Sequence, residues 1–260
     1  MYEELENPPL VEALLEVRWR LQAKENMPPV DPAYPVVVGL LYERVMDQYR
    51  FQETAPEAHL VPPEMLPYRA THRFRVGDGQ WPLVQIGPGV AVLNFTTSYT
   101  WSRFSKAAST FIGNLKEAYQ VATDTIPELG QVLLRYINSL DFPFGEQDVL
   151  DFMRDKLHIA CAVPDEMVDP GTVAGPPASV RFEVRYPLRN PAGLGILNVR
   201  RGTKMDNPAL VWELLVVSAG EEAPDLDELS QWLQDAHHVI EEWFFELIKG
   251  NLYQSFKGGD

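Results

Sequence analysis

The sequence has almost no cysteine and few basic residues for its size. Cys161 is the single cysteine among 260 residues, which excludes an internal disulfide and favours a reducing compartment. Lys and Arg number 22 against 37 Asp and Glu, a net charge of −15 that disfavours nucleic-acid partners by long-range repulsion. No run of about 18 apolar residues is present, so no membrane span is predicted. A soluble, cytoplasmic, bacterial protein is therefore expected.

Recognisable catalytic motifs are lacking as well. The chain contains no Gly-x-Ser-x-Gly elbow and no His-Glu-x-x-His zinc motif. Its glycine-rich stretches, residues 77–79 and 87–89, lack the Lys-Ser/Thr ending of a phosphate loop and are typical of hairpin turns. No catalytic residue, metal ligand or cofactor is predicted, and a non-enzymatic role is favoured.

Periodic hydrophobic patterns run along most of the chain. Alternation of apolar and polar residues predicts strands, and apolar residues three and four apart predict helices. The predicted strands are 15–22, 71–76, 83–86, 90–95, 131–142, 180–186, 194–200 and 210–217. The predicted helices are 36–49, 99–121, 146–157 and 226–255, and the predicted loops are 51–68 and 164–177.

This order of elements indicates an internal duplication. Residues 11–19 resemble 132–138, and the turn and strand at 90–95 resemble those at 194–199. We therefore predict an α+β protein of two pseudo-repeat β-α-β-β-β-α halves, residues 1–125 and 126–260, forming either two units or one continuous domain. Long helices would cover the antiparallel sheet or sheets. The order is similar to the duplicated saddle of the TATA-box-binding family and to helix-grip folds, a likeness that implies no function.

Three stretches resemble a sporadically distributed family of uncharacterised bacterial proteins of similar length. They are Asn-Pro-Pro-Leu-Val-Glu-Ala at 7–13, Arg-Tyr-Ile-Asn at 135–138 and the Ala236-His237 step in the last helix. This chain departs from the family at Ser139, where an arginine is common. The family's patchy distribution implies an accessory role, in mobile-element conflict or in a partner-dependent system.

Arginines are the candidate ligand-binding residues, because they fall on the polar sides of several predicted strands. These are Arg18, Arg73, Arg75 and Arg135. In a shared sheet their forked guanidinium groups could converge on a carboxylate or another anion. The alternative is cross-strand pairing with acids such as Glu16 and Glu183 on an exposed sheet face.

The last predicted helix carries two His-Glu pairs and many carboxylates. His237 and His238 precede Glu241 and Glu242 by four residues each, so each pair shares a helix face. Such a pair could begin a metal site, but zinc needs three or four ligands. A solvated acidic face is the favoured interpretation, since residues 221–246 contain no Lys or Arg.

Three functions from different classes follow from these patterns. The favoured one is a protein-interaction or accessory module, acting through the sheet face or the acidic helix as a monomer or a homodimer. The first alternative is a sensor for a small anionic or apolar ligand held between sheet and helices. The second is a metal-dependent hydrolase that uses His237, His238 and Glu242.

Overall fold

The structure, a computed structural model, describes residues 5–24, 27–62, 65–96 and 99–258. These residues form an α+β fold with a nine-stranded antiparallel sheet and a separate two-stranded hairpin. The strands are β1 (Leu10–Trp19), β2 (Gln22–Lys24), β3 (Met27–Val30), β4 (Phe51–Thr54), β5 (His72–Arg75), β6 (Leu83–Gly87), β7 (Val90–Phe95), β8 (Leu129–Asp141), β9 (Arg181–Arg189), β10 (Ala192–Lys204) and β11 (Asn207–Ala219). The helices are α1 (Tyr34–Val45), α2 (Trp101–Thr123), α3 (Val149–Lys156), α4 (Leu229–Ile248) and α5 (Asn251–Lys257).

The large sheet is built outward from a central pair, β1 and β8. Its strand order is β4-β5-β6-β7-β1-β8-β11-β10-β9, so strands from both halves of the chain form one sheet. The pairing of β1 with β8 runs from Leu10 opposite Asn138 to Trp19 opposite Leu129. The hairpin of β2 and β3 lies apart from this sheet.

The alternation in β1 gives the sheet two different faces. Leu15 and Val17 are fully buried on one face, while Glu16 and Arg18 point to the other. Helices α1, α2 and α4 pack on the first face, which we call the helix-covered face, and share one hydrophobic core with it. The opposite face is called the charged face.

Helices α2 and α4 each bury an apolar stripe in that core. In α2 the stripe includes Phe104, Phe111 and Leu115, and the Thr100 side chain caps the helix by accepting a hydrogen bond from the Arg103 N–H. In α4 the buried residues are Leu229, Trp232, Leu233, Ala236, Ile240 and Ile248. Because both stripes face the sheet, the two helices also contact each other.

The structure differs from the sequence prediction at three elements. The hairpin of β2 and β3 was not predicted: the first strand, expected at 15–22, ends at Trp19, and the hairpin follows it. The predicted loop at 51–68 contains strand β4, which pairs with β5 and was hidden by the prolines that follow it. The predicted helix at 226–255 is broken between α4 and α5, where Gly250 has a φ of 90°, outside the helical range.

The two similar turn-and-strand stretches occupy different positions in the sheet. Val90–Phe95 is β7, which lies beside the central strand β1. The stretch at 194–199 belongs to β10, which lies between β11 and β9 and does not touch the central pair. Their sequence likeness therefore does not correspond to equivalent places in the sheet, whereas the other matched pair, 11–19 and 132–138, falls on the central neighbours β1 and β8.

Asp31 accepts hydrogen bonds from four parts of the chain, namely β1, α2, the turn between β6 and β7 and the start of α1. Its carboxylate accepts hydrogen bonds from Trp19 Nε1 at 2.8 Å, from the Tyr119 hydroxyl at 2.5 Å and from the Gly89 N–H at 3.2 Å. The Ala33 N–H at the start of α1 is a further donor. Burial and the Asp31 charge both raise the pKa of Tyr119, so its phenol stays a donor.

We expect Asp31→Ala to lower the free energy of unfolding by about 3 kcal/mol, because it leaves several part-buried donors without an acceptor. The matched control is Asp47→Ala, at an exposed position beyond α1, with an expected change below about 0.5 kcal/mol. Chemical denaturation followed by tryptophan fluorescence measures both. Equal losses in the two variants would show that the Asp31 contacts do not stabilise the fold.

Candidate functional site

A cavity of about 420 Å³ lies on the helix-covered face, at the centre of the sheet. It is bounded by β8, the start of α2, the C-terminal half of α4 and the segment before β1. Its lining residues are Leu5, Pro8, Leu10, Tyr99, Thr100, Trp101, Ser102, Tyr136, Asn138, His237, Glu241, Phe244 and Phe245. Most of these side chains are apolar or aromatic, as is usual for sites that bind small molecules.

The local periodicity of each element brings the polar side chains into this cavity. In β8 the alternation that buries Leu134 also directs Tyr136 and Asn138 to the helix-covered face. In α4, His237 and Glu241 lie four residues apart and so share the side of the helix that faces the cavity.

Tyr99, Tyr136 and His237 form a buried polar chain along one wall. The Tyr99 and Tyr136 hydroxyls are hydrogen-bonded, and the Tyr136 hydroxyl is 2.9 Å from His237 Nδ1. The His237 ring stacks on Trp101, with ring centroids 3.6 Å apart and planes 15° from parallel. These contacts fix the imidazole from two directions and leave its Nε2 atom 4.0 Å from Glu241 Oε1.

Burial keeps these three polar groups uncharged near neutral pH. It lowers the pKa of His237 to about 4, with a smaller contribution from the neighbouring His238. It also raises the pKa values of Tyr99 and Tyr136, to which the Glu241 charge adds. Glu241 is therefore the charged side chain among the described lining residues.

Asn138 lines the cavity and has an unsatisfied side-chain donor. Its side chain is 1% exposed, and its Nδ2 atom has no hydrogen-bond partner among the described residues. Trp212, the residue opposite Asn138 on β11, is fully buried, and its Nε1 donor also has no hydrogen-bond partner among the described residues. A buried unpaired donor costs about 1–3 kcal/mol, so an acceptor atom placed here would be strongly favoured.

Sequence analysis considered His237 as a metal ligand but assigned no binding role to Tyr136 or Asn138, although a signal was present. Tyr136 and Asn138 are polar residues on the side of an alternating strand that otherwise carries Val132 and Leu134. Polar side chains on the apolar side of a buried strand need partners, and that need marks candidate sites.

The arginines predicted to bind a ligand all lie on strands of the charged face, away from the cavity. Arg18 is 2.7 Å from Glu16, Arg75 is 2.9 Å from Glu53, and Arg135 is 2.5 Å from Glu213. Arg73 donates to the Gln85 side chain at 3.2 Å.

The structure brings these arginines to one face without gathering them at one point. Arg18 and Arg135 lie on the adjacent strands β1 and β8, whereas Arg73 and Arg75 lie on β5, about 14 Å from β1 at the usual strand spacing. Each contacts an acid or an amide of the same face: Arg73, Arg75 and Arg135 reach across to a neighbouring strand, whereas Arg18 pairs with Glu16 of its own strand. Their role in ligand binding stays a prediction.

Glu213 has a special position on the charged face because it holds two arginines. Its side chain is 4% exposed and lies 2.5 Å from Arg135 and 2.8 Å from Arg200. The sequence reasoning missed Glu213 and Arg200, since their partnership depends on the register of β10, β11 and β8.

The two His-Glu pairs of α4 differ in their surroundings. His237 lines the cavity, whereas His238 lies 3.2 Å from Glu242 with both side chains more than half exposed. Within the described ranges no group of three or more His, Cys, Asp and Glu side chains is arranged to hold a metal ion. The helices in those ranges are also too short or too polar to cross a membrane.

Comparisons with known proteins give only distant structural likenesses. The chain matches no family model and no curated protein sequence. Among solved structures it is similar to the crystal structure of DynU16, a protein in the dynemicin biosynthetic locus. The identity is 14% and the TM-score 0.22, over 93% of this chain and 99% of that one.

We expect Glu213→Gln to lower the free energy of unfolding by about 3 kcal/mol, because two part-buried guanidinium groups lose their carboxylate. Glu183→Gln is the matched control: its pair with Arg185 lies on the same face but is about half exposed, so a change below about 1 kcal/mol is expected. Urea denaturation of both variants tests this. Equal losses in the free energy of unfolding would contradict the claim that the buried carboxylate of Glu213 stabilises the fold more than the exposed carboxylate of Glu183.

The depressed pKa of His237 predicts a loss of stability in acid. The unfolded histidine takes up a proton near its ordinary value of 6.5, the folded one only near 4, so this residue favours the unfolded chain as the pH falls between these values. The effect approaches ~3 kcal/mol at its limit. Unfolding measured from pH 7 to 4 should therefore show a steeper loss for the wild type than for His237→Asn. Parallel curves would mean that the imidazole is not desolvated.

Proposed function

We propose that this protein binds a small, largely apolar organic molecule in the cavity between β8, α2 and α4. The observation that carries the proposal is the cavity itself, whose largely apolar and aromatic lining includes Asn138, a buried side chain with a donor that has no partner among the described residues. The volume of about 420 Å³ falls within the range of small-molecule sites. This is the sensor alternative of the sequence analysis, placed on the helix-covered face instead of the arginine face.

The walls of the cavity support binding without large rearrangement. Trp101 and His237 are stacked, Phe244 packs edge-to-face on Phe245 at 5.2 Å, and the hydroxyls of two tyrosines bond each other. Side chains held in this way lose little further freedom when a ligand enters, which lowers the entropic cost of binding. Ser102 and Pro8 are exposed lining residues, so the cavity opens to the surface beside the start of α2.

Nile red, an uncharged fluorescent ring system, tests the cavity directly. We expect it to bind the wild type with a rise and a blue shift of its emission, and Ser102→Trp to reduce its affinity at least about tenfold by narrowing the mouth. Ser109→Trp, about two turns further along the exposed side of α2, is the matched control and should bind like the wild type. Equal binding by both variants would place the dye elsewhere and overturn the proposal.

Protein interaction through the charged face is the second candidate, and it retains the function favoured by sequence. The described part of this face carries more arginines than glutamates, although the whole chain has a net charge of −15. The arginines are Arg18, Arg73, Arg75, Arg135, Arg181, Arg185, Arg189 and Arg200; the acids are the glutamates Glu12, Glu16, Glu53, Glu183 and Glu213 together with Asp141. A cationic surface on an acidic protein favours an acidic partner.

We also propose that the chain is internally duplicated and that it is related to the family resembled by residues 7–13, residues 135–138 and the Ala236-His237 step. We take β1-α1-β5-β6-β7-α2 and β8-α3-β9-β10-β11-α4 as the two β-α-β-β-β-α halves. The support is that β5, β6 and β7 follow each other on one side of the central pair, as β9, β10 and β11 do in reverse on the other. The extra strand β4 and the hairpin of β2 and β3 would then be additions to the first half.

A further inference from the structure

Glu241 gives the cavity a negative charge that the described residues leave largely uncompensated. The described lining residues include no Lys or Arg, and the ion pairs of the described chain give Glu241 one partner, His237 at 4.0 Å. Since burial lowers the pKa of His237 to about 4, this partner is neutral at physiological pH. A carboxylate beside a largely apolar cavity acts through a lower effective dielectric than water and attracts a cation more strongly.

Aromatic rings line the same cavity as this carboxylate. The rings lining the cavity are those of Tyr99, Trp101, Tyr136, Phe244 and Phe245, together with the imidazole of His237. The faces of Trp, Tyr and Phe rings attract ammonium groups, most strongly where water is excluded. An acid and several aromatic rings in one cavity therefore favour a positively charged group over a neutral one.

Helix α4 carries further acids close to Glu241. They include Asp235 and Glu242, whereas Glu246 is paired with Lys249 at 2.6 Å. On the α4 side of the cavity these acids add to the attraction for a cation.

We infer that the ligand is an amphiphilic organic cation: an ammonium group held by Glu241 and the aromatic rings, an apolar body, and an acceptor oxygen for Asn138. This inference rests on the proposed function, since it concerns the same cavity. The cation inferred for the cavity therefore differs from the anionic ligand predicted for the arginines of the charged face.

Three probes that share one skeleton and differ in charge test the inference. They are phenylbutylamine, phenylbutanol and phenylbutanoate, titrated calorimetrically at neutral pH into wild type, Glu241→Gln and Glu242→Gln. We expect the wild type to bind the amine about tenfold more tightly than the alcohol, and the alcohol more tightly than the acid. Glu241→Gln should remove the preference for the amine. Glu242→Gln, at the adjacent and more exposed position with the same change of charge, should retain it.

The outcomes separate this inference from the proposed function. Should the alcohol or the acid match the amine, or Glu241→Gln keep the preference, the cationic ligand is wrong while the cavity remains a binding site. Should no probe bind while Nile red does, the cationic ligand is equally wrong. A protein that binds neither the probes nor Nile red overturns both. Melting temperatures of the two variants within a few degrees of the wild type confirm that each is folded.

Discussion

The pairing of β1 with β8 is the constraint on which the rest of the structure depends. It joins the two halves of the chain into one sheet and places β7 and β11 on either side of the centre. Helix α2 follows β7 and helix α4 is the first α-helix after β11, so both return over the same face beside the central strands and contact each other. The cavity lies at this junction, where β8, the start of α2 and α4 meet.

The position of the cavity explains its unusual polarity. Tyr136 and Asn138 stand on a central strand, where water is excluded and each polar group needs a partner within the protein or a ligand. Tyr136 finds partners in Tyr99 and His237, whereas the Asn138 amide donor does not. The fold thus stabilises two aromatic hydroxyls and a neutral imidazole at its centre, while the described residues leave the Asn138 donor unpaired and the Glu241 carboxylate without a charged partner.

The sequence predicts most of the strands and helices because their burial is periodic. Alternation at Val180–Tyr186 indicates β9, and the stretch at 90–95 matches β7 at both ends. Strand β4 was not predicted because its four residues bury little side-chain surface and the strand depends on its pairing with β5. The break after α4 was missed because the apolar spacing continues into α5 across Gly250.

The candidate site was harder to predict, for reasons of register and shape. Alternation places Arg18 and Arg135 on one sheet face, but the partner of Arg135, Glu213, follows only from the pairing of β8 with β11. The cavity depends on where the apolar stripes of α2 and α4 fail to fill the space above β8. Hydrophobic periodicity shows which side chains are buried, but it does not show whether those side chains contact each other or leave a cavity between them.

Nuclear magnetic resonance of nitrogen-labelled protein titrated with phenylbutanol tests the central claim most directly. The account predicts that the Asn138 side-chain amide and the Trp101 indole signals shift together and saturate at one affinity. The indole signal of Trp243, which lines a separate groove of about 500 Å³ beside β9, should stay in place. Shifts of Trp243 with no change at Asn138 would contradict the claim that the central cavity is the binding site.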